Sequence, residues 1–234
     1  MKPPLYLLYL DAYHQGDPLF QKELAQRFAR TAPGEPPALI LHGGGEKLER
    51  TLEAEGVFPE REEGVIVTET PRQKALAERA AREANQDIVA LFTEEQVSAV
   101  GLQGADRGLL RVGESGAVEA GALGWVEDLI KMRVLPVVSA LAESPERVQP
   151  VSPARAAQAL AGALAASFEV TPCVLATGDL PEADPVAAGA LPDETVSEPG
   201  TTRRLTEARG HALLADLDGF FAEDGPQGVR LEAS

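Results

Sequence analysis

Cationic residues are scarce in this chain. It carries 21 Lys and Arg against 37 Asp and Glu over 234 residues, a formal net charge of −16. A surface of that sign repels nucleic acid and anionic membranes, and no local Lys/Arg cluster offsets it. The same field disfavours polyanionic ligands unless local cations compensate. Cysteine is nearly absent: Cys173 stands alone, which excludes an internal disulfide and a cysteine-based zinc site. Aromatic residues make up only 5%, so a core must come mainly from Leu, Val and Ala. The leading apolar run, Leu5–Leu10, is too short for a signal-peptide core or a membrane span. Neither a GxGxxG nor a GxxxxGK[ST] motif occurs. A soluble, cytoplasmic chain is the expectation.

What is present is a regular alternation. Apolar strand-like runs fall at 4–11, 38–42, 98–104, 135–142 and 172–180, with a shorter piece at 63–69. Helix-compatible segments separate them at 19–30, 46–56, 71–96, 124–134 and 153–167. Residues 107–121 read as a hairpin. Residues 181–202, rich in Pro, Gly and acid, read as a long loop or linker. Residues 210–224 read as a helix with Leu213 and Leu217 inward, and 225–232 as a turn and an edge strand. The pattern predicts an α/β protein with an open, mostly parallel sheet and helices on both faces. Ligands in such folds sit outside the carboxyl ends of strands, where the glycine turns 43–45 and 101–104 both fall.

The stretch "ALILHGGGEKLER" is the sharpest local feature. Gly43, Gly44 and Gly45 follow a strand and open a helix. Such a turn brings backbone N–H groups close to an anion at a helix N-terminus. A strand-to-helix corner that needs positive φ has the same appearance. Both readings stay open on these residues alone. A lone histidine such as His42 is more often a satisfied structural residue. Asp11 and Asp106, as scattered single aspartates, are read as surface or capping residues, and no metal site is expected. Trp125, Phe220 and Phe221 read as core.

Several segments in order resemble the amino-acid kinase family, in its acetylglutamate kinase branch and the related aminoadipate kinase branch. "LILHGGGEKLERTLEAEGVFPEREEGVIVTE" resembles the family's V-H-G-G-G strand, helix and N-G-L-R-V-T. "ANQDIVALFTEEQVSAVGLQGADRGLLRV", "LIKMRVLPVVSALAES" and "EARGHALLADLDGFFAEDGPQGVRLE" resemble later family segments, so the likeness covers nearly all of 38–231. It implies a three-layer αβα open sheet of the carbamate-kinase-like type. It implies one domain over 1–234, with an acceptor and dimerisation lobe at 1–149 and a reduced nucleotide lobe at 150–234. Gly43, Gly44, Gly45 and Asn85 then match substrate-binding positions, and Lys47 and Arg155 become candidate nucleotide or phosphate contacts. Arg155 is expected at a helix N-terminus facing the cleft.

The departures from the family pattern concern the reaction itself. The lysine of K-x-G-G after the first strand is missing; Leu8 to Asp11 fill the region. The arginine of N-G-L-R-V-T falls on Ile66. The motif N-x-N-A-D falls on Pro150, Val151, Ser152, Pro153 and Ala154. No lysine occurs between 180 and 205, where a second catalytic lysine belongs. Losing one preorganised charge contact typically costs about 3 kcal/mol of transition-state stabilisation. The expectation is a divergent homologue with weak or no phosphoryl transfer and a binding or regulatory role. It would bind a small anionic metabolite and act as a homodimer or beside a related kinase. The alternative is an active kinase, with ATP and Mg²⁺ as its cofactors, that phosphorylates the carboxylate of N-acetylglutamate or an aminoadipate derivative.

Overall fold

The computed structural model describes residues 2–32, 34–58, 60–62 and 65–233, with backbone only at 61, 62 and 65. Fourteen strands and eight α-helices are found among them. The strand β1 (Pro4–Leu10) leads into a short α1 (Ala12–Gly16) and α2 (Pro18–Arg30). Then come β2 (Ala38–His42), α3 (Gly45–Ala54), β3 (Arg61–Glu62), β4 (Val65–Ile66) and α4 (Pro71–Glu94). β5 (Ala99–Gln103), β6 (Leu110–Val112), β7 (Val118–Ala120), α5 (Gly124–Lys131), β8 (Leu135–Ser139), β9 (Leu141–Glu143) and β10 (Val148–Pro150) follow. The remainder is α6 (Pro153–Leu164), β11 (Glu169–Leu175), β12 (Val186–Ala187), α7 (Pro199–Arg209), β13 (His211–Ala215), α8 (Leu217–Phe220) and β14 (Val229–Glu232).

Eight strands form the central sheet in the order β12-β14-β13-β11-β1-β2-β8-β5. Every pairing is parallel except β13 with β14. Parallel strands covered on both faces read as near-continuous apolar runs, and β1 obeys this, with Leu5, Leu7, Leu8, Tyr9 and Leu10 all buried. One face packs on α5, α6 and α7 through residues such as Leu7, Leu39, Leu160 and Leu205. The other packs on α2, α4 and α8 through Leu8, Ile40, Leu24, Ile88, Phe92 and Phe220. This is the expected three-layer open sheet. A second sheet, β10-β9-β6-β7, packs against α4 and α6 and holds the expected hairpin, with β6 antiparallel to β7.

Local signals explain the helices that position the site. α4 starts with Thr70 and Gln73 in a reciprocal capping box and Pro71 in the first turn. Its buried Ala77, Ala80, Ala81, Ala84 and Ile88 recur at three- and four-residue spacing, so one stripe faces the protein. Thus 71–94 is a single helix. α3 ends before Gly56, whose φ of 74° supplies the left-handed residue past the terminus.

Three expectations need correction. His211–Ala215 is strand β13, not the start of a helix; helix survives only as Leu217–Phe220, capped by Asp216. The segment 225–232 does end in a strand, but β14 lies between β13 and β12 and is not an edge. The 181–202 segment is not a uniform linker: it contains β12, and α7 begins inside it at Pro199. α7 was missed because its buried face is built partly from Thr201, Thr202 and Thr206, which a hydropathy pattern scores as polar. Of the strand read at 63–69, Val65 and Ile66 pair with 61–62, and residues 63 and 64 lie outside the described residues.

From β1 the chain builds outward in two directions: β2, β8 and β5 on one side, β11, β13 and β14 on the other. β1 is therefore the topological switch point, and a ligand crevice belongs at its carboxyl end. The same strand pairs with both β2 and β11, and so ties early and late segments of the chain into one sheet.

Candidate functional site

A narrow cleft opens at that place. It encloses about 620 Å³ of atom-free space including its open mouth, of which about 70 Å³ admits the centre of a water-sized sphere. That is room for several waters or a small organic molecule. Its walls come from the end of β1 and α1, the turn between β2 and α3, β4, α4, the approach to α6, and the start of α7.

The glycine-turn wall rests on a buried polar network. His42 ends β2 with no exposed surface. Its Nδ1 donates to the Gly43 carbonyl at 2.8 Å, and its Nε2 accepts from the Asn85 amide at 3.0 Å. The amide is a donor, so Nε2 must be the bare nitrogen and the ring is neutral. Burial agrees, pushing the His42 pKa down to about 4 despite the bond to Gly43. Asn85 also donates to the Val137 carbonyl at 2.8 Å. The Gln103 amide reaches Asn85 Oδ1 at 3.4 Å, and the Ser139 hydroxyl donates to Gln103 Oε1 at 2.7 Å. Asn85 is thus a brace beneath the turn and does not line the cleft.

Gly43, Gly44 and Gly45 do line it. Gly45 has a φ of 57°, and a Cβ there would lie 2.6 Å from Gln15 Oε1. The corner reading is therefore satisfied at Gly45. Gly44 caps α3 without any side-chain cap bond, so no side chain of the cap residue satisfies the first-turn amides. Gly104 serves packing instead: a Cβ there would come within 2.1 Å of the Leu141 carbonyl oxygen.

The β1 wall has a different chemistry. Tyr9, 3% exposed, donates its hydroxyl to Glu198 Oε2 at 2.8 Å. The Ala12 backbone amide donates to Glu198 Oε1 at 3.2 Å. Glu198 is the residue before α7; its carboxyl makes no bond to the first-turn amides, and the buried Thr201 hydroxyl of α7 lies close enough to favour its ionised form. Burial raises its pKa above the ordinary carboxylate value; the bonds from Tyr9 and Ala12 oppose the rise, and nearby Asp11 adds to it. Gln15 donates to the Leu10 carbonyl at 2.8 Å, while its Oε1 is shielded from solvent and has no hydrogen-bond partner. Asp11 is a buried cap: its Oδ1 accepts from the His14 amide at 2.9 Å and meets His14 Nδ1 at 2.8 Å.

Apart from Thr68, the rest of the lining is apolar. Ile66, Leu48, Ala77, Ala81, Ala140, Pro150, Val151 and Pro153 complete it with Thr68 and Ala12. The positions at which this chain departs from the family pattern, namely Tyr9 in the first-strand motif, Ile66 and Pro150–Pro153, therefore converge on one surface. Among the described lining residues there is no lysine, arginine or histidine, and Glu198 is the sole carboxylate.

The candidate cations lie elsewhere. Lys47 pairs with Asp87, and with Glu83 at 3.8 Å, in a charged outer groove between α3 and α4. Arg155 is exposed on the first turn of α6 and is not part of the cleft wall, against the expectation that it faces the cleft. Arg107 lies over the Trp125 ring at 5.3 Å, and Arg203 is exposed on α7. Glu198 escaped sequence reasoning because it sat in a presumed linker; its only signal was an acidic residue immediately before a Pro-initiated helix.

Comparison with known proteins places the chain among relatives. Residues 14–179 match the model of the amino acid kinase family. The acetylglutamate kinase of Trichlorobacter lovleyi is 31% identical over 103 residues, 41% of this chain and 35% of that protein. The acetylglutamate kinase of Roseiflexus sp. (strain RS-1) is 30% identical over 178 residues, 70% of this chain and 67% of that protein. The matched part thus spans from about a third to two thirds of these relatives' length. The structure of smu.665 from Streptococcus mutans UA159 superposes with a TM-score of 0.67 at 14% identity, covering 98% of this chain and 99% of that one. No helix among the described residues is long and apolar enough to cross a membrane.

Proposed function

Because this chain belongs to the amino acid kinase family, we propose that it is a divergent, acetylglutamate-kinase-like protein that binds a small molecule and has weak or no phosphoryl transfer. The observation that carries this reading is the cleft's missing positive charge. Phosphoryl transfer depends on positioning and on cations that stabilise the charge on the transferred group. Here the wall at the end of β1 offers Tyr9 and a carboxyl, and the walls at 66 and 150–153 are aliphatic. A nucleoside triphosphate with Mg²⁺ does not fit these residues: among the described lining residues there is no cationic side chain to receive its phosphates. Among the described residues, no three His, Cys, Asp or Glu gather as a metal cage. A binding or regulatory role would be exercised as a homodimer or beside a related kinase.

The direct test is ADP release from Mg-ATP with N-acetylglutamate as acceptor. The expected result is no acceptor-dependent turnover. A rate of about 1 s⁻¹ or more, ordinary for enzymes, overturns the proposal and makes ATP and Mg²⁺ genuine cofactors.

A further inference from the structure

The cleft's polar side chains are biased toward one kind of partner. Glu198 accepts from Tyr9 on one oxygen and from Ala12 on the other, with the Thr201 hydroxyl as a third neighbouring donor. A carboxylate has about four acceptor positions, so one stays open for a further donor. Gln15 Oε1 is a further acceptor, buried and unpartnered at the edge of the same cleft. An unmet buried acceptor is costly and calls for a donor. The hydroxyl proton of Tyr9 is already directed at Glu198, so it does not supply one. The remaining surface, typified by Ile66, Val151 and Pro153, is aliphatic and hydrates poorly.

We propose that the cleft takes a small molecule with a short aliphatic body and a primary ammonium head, received by the Glu198 carboxylate. This rests on reading the cleft as a binding site that does not transfer phosphate. An ammonium brings three donors and no acceptor, which matches a carboxylate with a spare lone pair beside an unmet amide oxygen. Its positive charge is not opposed by any cationic side chain in the wall. A carboxylate or phosphate head placed at Glu198 would meet like charge in a partly dehydrated site. The start of α3 at the Gly43–Gly45 turn attracts an acceptor, so it defines the other pole of the cleft. It can hold a polar atom elsewhere on the ligand, but it does not offset Glu198 at the β1 end.

The test is calorimetric titration of the full chain with three probes of one shape: n-butylammonium, butyrate and n-butanol, in moderate salt to screen the −16 net charge. Butylammonium is expected to bind with a millimolar or tighter dissociation constant, and butyrate at least tenfold more weakly. Glu198→Gln keeps the shape and removes the charge; it is expected to weaken butylammonium at least tenfold with its melting temperature unchanged or higher. Ile66→Arg alters the other wall and is expected to abolish amine binding while admitting butyrate. If Glu198→Gln fails to fold, Ile66→Arg decides the matter alone. Butyrate binding as tightly as the amine, no amine binding up to tens of millimolar, or amine binding indifferent to both variants each overturns the proposal. The ADP-release assay reports separately: turnover there with amine binding intact defeats the catalytic reading and leaves the ligand class standing.

Discussion

The two walls of the cleft are built to different standards. Beneath the glycine turn, His42, Asn85, Gln103 and Ser139 satisfy one another and the backbone in a closed chain of hydrogen bonds. At the end of β1, Tyr9 and Ala12 hold a carboxyl whose ionised form is disfavoured, and Gln15 keeps an acceptor without a partner. A fully satisfied buried network rigidifies a fold, whereas an unmet buried acceptor carries a desolvation cost that an added donor would relieve. On the proposal above, the turn wall is a scaffold and the β1 wall carries the specificity. Changes in the first should therefore cost stability, and changes in the second should alter binding with little effect on folding.

Asn85→Ala is the strongest way to break this contrast. It leaves His42 Nε2 and the Val137 carbonyl without their donor in a dry interior. A loss of about 3 kcal/mol in urea-unfolding free energy is expected. A loss below about 1 kcal/mol would mean the network is not a brace. Acidification tests the same wall. The folded-state pKa of His42, about 4, lies below the ordinary 6.5, so the unfolded chain takes up its proton first. The stability contributed by neutral His42 is complete above pH 6.5 and is lost as pH falls toward 4, by roughly 3 kcal/mol in total. The His42 ring resonances in NMR should stay at their neutral positions until about pH 4; titration near 6.5 contradicts the geometry.

Gly45→Ala sits where the walls meet. Its φ of 57° and the nearby Gln15 oxygen, which is the movable end of a side chain, set an expected cost of about 1–2 kcal/mol. The smallest effect belongs to the β1 wall. Folding disfavours the charge on Glu198, so Glu198→Gln should change the melting temperature by no more than about 2 °C and in the upward direction. A clear drop would make the Tyr9–Glu198 bond a structural latch, and the two walls would be alike.

The parts of this molecule that were legible in sequence are those where a single physical requirement dominates. β1, β2 and β8 are dry on both faces along most of their length, and their apolar runs say so. The Gly43–Gly45 turn declares itself because little else explains three glycines between a strand and a helix. β13 was misread because "HALLADLDGFF" spaces its leucines acceptably for either period over so short a span; pairing with β11 and β14 decides it. Asn85 was legible as important but not as a brace, because its partners His42 and Val137 are 43 and 52 residues away. The β1 wall was illegible for the same reason in stronger form. Tyr9 and Glu198 are 189 residues apart, and nothing local joins them.

The place of β1 in the sheet also has a consequence for how the chain comes together. Its partner β2 follows after 27 intervening residues, but its other partner, β11, starts only at residue 169. Until that segment emerges from the ribosome, one edge of the sheet's central strand has no neighbour, and its flanking leucines lack their cover. Such an edge is a template for intermolecular pairing, and closing a loop that long is intrinsically slow. Refolding at high concentration should therefore lose material to aggregation, and a chain truncated before 169 should be recovered mainly as insoluble protein.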